Sequence, residues 1–146
     1  MIFASVLFAI PLRADEIQRT ATKLADGVYA IEHPGHRHDG LFSGNTTVII
    51  GERQVLVVDS AYLPSVTRDD ITQIRRWTDK PVTFLLNTHF HNDHNLGNSL
   101  YMEAFPAITV IAHVETKKNM DMFGPGSAAR EERTGDAVDR RRRKDG

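Results

Sequence analysis

The spacing of apolar and polar positions changes several times along the middle of the chain, and each change marks an element. Residues 28–32 (Val-Tyr-Ala-Ile-Glu) predict a strand, followed by a polar loop over residues 33–45. Residues 46–50 and 54–58 are β-branched runs separated by Gly51-Glu52-Arg53, which predicts a hairpin. About residues 65–77 the period becomes helical, with Ile71, Ile74 and Trp77 on one stripe; Thr67 is the expected cap, with Asp70 three residues on. After Pro81, residues 82–86 are continuously apolar, as in a strand buried on both faces. A short helical segment is expected at 97–105, a strand at 108–112, and a helix from 114 to about 122 that Gly124-Pro125-Gly126 stops. Alternation of this kind predicts an α/β layer with a largely parallel interior.

The two ends follow different patterns. Residues 1–12 are apolar apart from Ser5 and Pro11, too short a run for the ~20 residues that span a bilayer. With Ala14 before Asp15 it fits the apolar part of an export signal, so residues 1–14 are read as a signal segment and the protein as periplasmic or secreted; a buried first element in a cytoplasmic protein is the alternative. Residues 127–146 hold Arg140-Arg141-Arg142-Arg143-Lys144 and few apolar side chains, which predicts a disordered, solvated tail. No aromatic residue is interleaved with those charges to stack on bases.

Composition narrows the chemistry. The 146 residues suit one domain, read as residues 15–126, and the formal net charge of -1 argues against nucleic acid as a specific partner. No stable membrane anchor is expected. With no cysteine, disulfides, thiolate metal sites and a cysteine nucleophile are excluded.

One segment carries candidate chemistry. Asn87-Thr88-His89-Phe90-His91-Asn92-Asp93-His94-Asn95 places four potential metal ligands in six residues, directly after the apolar run 82–86. Open α/β sheets carry their sites at the carboxyl ends of strands. In an extended segment His89 and His91 point to one side, and a turn at Asn92 presents Asp93 and His94 to a neighbouring point. Asn92, Asn95 and Gly97 disfavour a helix here, so a loop is expected. Imidazole and carboxylate suit Zn²⁺, with iron and manganese as competitors. His113 stands alone and reads as structural. His33, His36 and His38 with Asp39 read as a polar loop at the rim of the site, with adventitious metal binding as the alternative.

The string His89-x-His91-x-Asp93-His94 followed by Gly97 resembles the signature of the metallo-β-lactamase superfamily. The resemblance extends through Gly44-Asn45-Thr46-Thr47-Val48, Val57-Val58-Asp59-Ser60 and Val110-Ile111-Ala112-His113, over roughly residues 25–123. It implies an αβ/βα sandwich with a dinuclear metal site. His89 and His91 would serve the first metal, Asp93 and His94 the second, and Asp59 would hold the ligand loop. It also implies a hydrolase in which metal-activated water attacks an ester, thioester or lactam bond of a small-molecule substrate, with Asp93 as the catalytic residue that orients the water. A β-lactamase-like enzyme leads; a thioesterase of the glyoxalase II kind and a non-catalytic metal-binding fragment are the alternatives.

The family's further ligands lie downstream, yet no histidine follows His113. The chain therefore reads as the N-terminal half of the sandwich, ended by a premature stop or a frameshift. Weak metal binding, little turnover and self-association through an uncovered sheet face are expected.

Overall fold

The computed structural model describes residues 19–33 and 43–123. Ten elements follow in chain order: β1 (Thr20–Ala25), β2 (Val28–Glu32), β3 (Thr46–Ile50), β4 (Val55–Val58), α1 (Pro64–Trp77), β5 (Val82–Asn87), α2 (Asn92–Asn95), α3 (Asn98–Ala104), β6 (Thr109–Ala112) and α4 (Val114–Phe123). The six strands form one sheet in sequential order. The signal segment, His36, His38, Asp39, the Gly124-Pro125-Gly126 stop and the basic tail lie outside the described residues. Among the described residues no helix is long and apolar enough to cross a membrane.

The expected parallel interior is corrected to a mixed sheet. β1 to β4 pair antiparallel, and only β4–β5 and β5–β6 are parallel. Parallel pairing needs a crossover long enough to carry the chain back along the sheet. The first such connection between β4 and β5 is α1. β1 was not anticipated: its TATKLA sequence is exposed at every position, so no apolar alternation marks it.

One face of the sheet carries the core. Ile31, Val48, Val55, Val57 and Leu85 pack with Ile71 and Ile74 of α1 and Tyr101 of α3. The Tyr29 and Trp77 rings stack at 4.2 Å, closing one end of this layer. Arg75 ties α1 to α3 by donating to the Ala104 carbonyl at 3.2 Å and lying over the Phe105 ring. Leu85 is fully buried, and its truncation to alanine is expected to cost about 3 kcal/mol, read as a lower urea midpoint.

The opposite face is only half-covered among the described residues. In register across it lie Thr47, Val58, Leu86 and Ile111, beside Ile49, Leu56 and Phe84. Ile49 and Ile111 are exposed, and Phe84 and Leu86 are half-buried. Among the described residues, strand 82–87 is thus buried mainly on one face, not on both as its apolar run predicts.

Helix α1 begins earlier than expected. Pro64, whose missing N–H costs nothing at a helix start, is its first residue, and Leu63 occupies the cap position. Thr67 is therefore inside the helix. Its hydroxyl donates to the carbonyls of Ser60 and Leu63, pinning the first turn to the end of β4.

Candidate metal centre

The candidate donors stand at the carboxyl ends of the parallel strands β4 and β5. At the end of β4 the chain turns sharply, with Asp59 at φ 61° and Ala61 at φ 64°. Such left-handed positions are uncommon for residues other than glycine, and Asp tolerates them better than most. The corner is fixed by Asp59 N–H donating to Leu86 O at 2.8 Å and Ser60 N–H donating to His94 O at 2.9 Å.

The Asp59 carboxylate is buried and turned toward the segment after β5. Thr88 N–H donates to its Oδ1 and Thr88 Oγ1–H to its Oδ2, both at 2.8 Å. His94 Nδ1 lies 2.8 Å from the same Oδ2. One carboxylate thus holds both ends of the donor segment. A ligating imidazole needs such a partner on its other nitrogen to set ring orientation and tautomer.

The segment itself departs from the expected loop. Asn92–Asn95 make a single helical turn, α2, with Leu96 N–H donating to Asn92 O. Local propensity is outweighed here by side-chain anchoring. Asn95 Nδ2 donates to the carbonyls of Phe90 and His91, at 2.7 and 2.8 Å. Inside the turn, a buried amide cluster receives the His94 carbonyl. Asn87 Nδ2 donates to it at 3.0 Å, and Asn87 and Asn98 exchange amide hydrogen bonds. Ser60 Oγ donates to Asn98 Oδ1 at 2.8 Å. The sequence alone assigns no role to Asn87, Asn98, Ser60 or Thr88, since amide and hydroxyl side chains carry no pattern until their partners are known.

The four donors sit together on this scaffold. The His89 and His94 rings lie 4.0 Å apart between centroids, tilted by 51°, and His89 meets His91 edge-on at 4.8 Å. His91 is exposed, whereas His89, Asp93 and His94 are half-buried. His89 Nδ1 is 3.0 Å from Thr88 Oγ1, which leaves Nε2 as its nitrogen for a metal. His94 Nε2 lies 3.2 Å from Asp93 Oδ2. Two ligands on a tetrahedral ion with bonds of ~2.1 Å stand about 3.4 Å apart, so this pair matches one edge of such a site. Among the described residues no three of these donors converge on a single point. The chemistry of the donor set, three imidazoles and a carboxylate, fits a divalent metal.

Two histidines have other uses. His113 is exposed; its Nδ1 accepts from Glu115 N–H at 3.3 Å and its carbonyl accepts from Lys117 N–H, so it caps α4, in keeping with a structural role. His33 is buried, contrary to the expected rim position. Asp70 and the Gly44 carbonyl occupy its two ring nitrogens, leaving neither for a metal.

Gly44 closes the site from the β3 side, its N–H donating to Asp93 O at 2.9 Å. A Cβ there would lie 2.7 Å from both Asp93 O and His94 Cε1, so only glycine lets the two segments meet.

A family model described as metallo-beta-lactamase superfamily matches residues 39–144. Among solved structures, the chain is similar to the metallo-beta-lactamase FIM-1 from Pseudomonas aeruginosa in its mono-zinc form. Identity is 18% and the TM-score 0.62, over 77% of this chain and 48% of that one. A metallo-beta-lactamase from Pontibacter korlensis aligns with 17% identity and a TM-score of 0.65, over 75% of this chain and 50% of that one. TMB-1 aligns at 21% identity with a TM-score of 0.60, over 73% and 48% of the two chains. At such identities the likeness concerns the fold, and the chain spans about half the length of these structures. No curated protein matches it. The mixed sheet, the donor turn at its strand ends and a family match over most of its length agree: the chain belongs to the metallo-beta-lactamase superfamily.

Proposed function

We propose that this chain carries the donor half of a metal-dependent hydrolase, with His89, His91, Asp93 and His94 as ligands and zinc as the preferred ion. The observation that carries this reading is the His94 ring set between Asp59 and Asp93, one nitrogen anchored and the other paired with a carboxylate oxygen at ligand-edge distance. A bound zinc would supply a water acidified to a pKa of about 7 and polarise a substrate carbonyl. The chain's own residues prepare that chemistry. Asp59 holds the His94 ring, Thr88 orients His89, and the Asn87–Asn98 pair fixes the His94 backbone. Asp93, half-buried beside His94, would accept a hydrogen bond from the attacking water and orient it. The substrate is a small molecule with an ester, thioester or lactam bond, and the signal-like segment 1–14, with its apolar run 1–12, supports a periplasmic or secreted setting.

Equilibrium dialysis with zinc is the direct test. Removing a ligand costs at least as much as removing its outer partner, so His94→Ala is expected to lower affinity on the order of 100-fold. Equal binding by His89→Ala, His94→Ala and the parent chain would remove the donor turn from the reading. Turnover is expected to be low, because two protein ligands per ion leave a catalytic zinc short of the usual three. A chelator-sensitive assay over lactam, thioester and ester substrates separates the β-lactamase-like reading from the thioesterase.

A further inference from the structure

A second polar cluster lies behind the donor turn, buried where β2, β3 and α1 meet. Asp70 is fully buried within the apolar stripe of α1. Its Oδ2 accepts from Thr46 Oγ1 at 2.9 Å, and its Oδ1 accepts from Arg19 at 3.3 Å and lies 3.0 Å from His33 Nε2. His33 Nδ1 lies 2.8 Å from the Gly44 carbonyl, and His33 N–H donates to Asn45 Oδ1 at 3.1 Å.

Both ring nitrogens of His33 thus face oxygens that accept hydrogen bonds. A neutral imidazole has one N–H and cannot satisfy both. The two contacts need one shared proton beyond the neutral ring and carboxylate, held as an imidazolium against the Asp70 carboxylate. We infer that His33 is a proton-dependent strut for the donor turn: protonated, it holds the Gly44 carbonyl, and Gly44 N–H in turn holds the Asp93 backbone. Loss of the proton leaves a lone pair facing either Gly44 O or Asp70, and the Gly44 contact, which lacks a charge, is the one released.

The electrostatics agree with the geometry. Burial alone would lower the His33 pKa, but the Asp70 hydrogen bond and charge and the Gly44 carbonyl together raise it above 6.5, against a smaller opposing effect of Arg19. A folded-state value above the unfolded one contributes stability that is complete below about pH 6.5 and lost as the pH rises through the folded value. The other ionisable groups bearing on the strut are Arg19 before β1, Asp70 on α1 and Tyr101 on α3; burial first, then the Asp70 charge, keeps the Tyr101 phenol neutral. On the far side of Gly44 stand Asp93, His94 and Asp59.

The coupling needs no metal, so it is tested on the metal-free full chain and does not depend on the proposed hydrolase. The readout is hydrogen exchange of the Gly44 amide, corrected for the intrinsic pH dependence of exchange. Protection is expected to be greatest below about pH 6.5 and to fall about tenfold above the His33 transition, the equivalent of one buried hydrogen bond. Asp70→Asn separates the strut from its neighbours. Its amide can donate to Nε2 while accepting from Thr46, so a neutral His33 keeps Nδ1–H on Gly44. Protection in that variant is expected to be flat between about pH 6 and 9. His33→Ala is expected to be unprotected throughout. A wild-type profile without a step would overturn the inference. So would a step that persists in Asp70→Asn, because the transition then does not depend on the His33–Asp70 pair.

Discussion

Alanine at position 97 is expected to abolish cooperative folding. Gly97 has an ordinary φ of −75°, so room, not backbone conformation, demands glycine there. A Cβ would sit 2.0 Å from the Ser60 carbonyl oxygen and 2.5 Å from Thr67 Oγ1. Three structures meet at that point: the corner after β4, the first turns of α1, and the junction between the donor turn and α3. None can retreat alone. Thr67 is bonded to Ser60 O, Ser60 N–H to His94 O, and Gly97 N–H to Ala61 O. Overpacking a core position costs ~1–3 kcal/mol where neighbours can adjust, and a backbone clash of this depth should exceed about 4 kcal/mol. Urea unfolding of Gly97→Ala should show either no cooperative transition or a much lower midpoint. Adding Thr67→Ser should not rescue it, because the Ser60 carbonyl remains in place. Wild-type stability in Gly97→Ala would show that the three segments do not approach this closely.

The next largest effect is expected at Asp59. Truncation to alanine strips partners from Thr88 N–H, Thr88 Oγ1 and His94 Nδ1 and leaves alanine at a φ of 61°. A buried carboxylate accepting such bonds is worth about 3 kcal/mol, and loss of an imidazole's outer partner lowers metal affinity ~10- to 100-fold. Asp59→Asn divides the two consequences. Asparagine tolerates the left-handed backbone and can still accept from Thr88 N–H. Its amide hydrogens, however, face groups that were donating, and so disturb the His94 ring. Stability should fall by less than in the alanine variant, while zinc affinity should fall comparably. Zinc affinity unchanged in both variants would detach Asp59 from the donor turn.

Elements and donors differed in how far they could be read in advance. β3, β4 and α1 carry their own period, since each buries one face against the same core. β1 carries none; it is held by its pairing with β2, and pairing leaves no trace in an exposed strand. The donor string was legible as residue types at a spacing, and Asp59 through the family resemblance alone. Their relative positions were not, because these depend on bonds between residues 29 and 35 positions apart. Asp70 did leave a signal that passed for a helix cap. It falls four residues before Ile74 on the apolar stripe, and a carboxylate in such a place requires buried partners. With Asp70 goes His33, whose burial no local pattern announces.

The sequential strand order bears on how this chain acquires its shape. Every strand lies beside its predecessor, so the hairpins β1–β2 and β3–β4 close over short loops and can form early. The donor turn is different: Asp59 must find Thr88 and His94 across the α1 crossover, and Arg19 must find Asp70 across 51 positions. Contacts of that span are made late, after the local pairs have paid the entropy of ordering the chain. Refolding should therefore pass through a stage in which the hairpins are formed and the histidines are still apart. In that interval the rate of assembly, more than final stability, sets how long the chain remains vulnerable to misassociation.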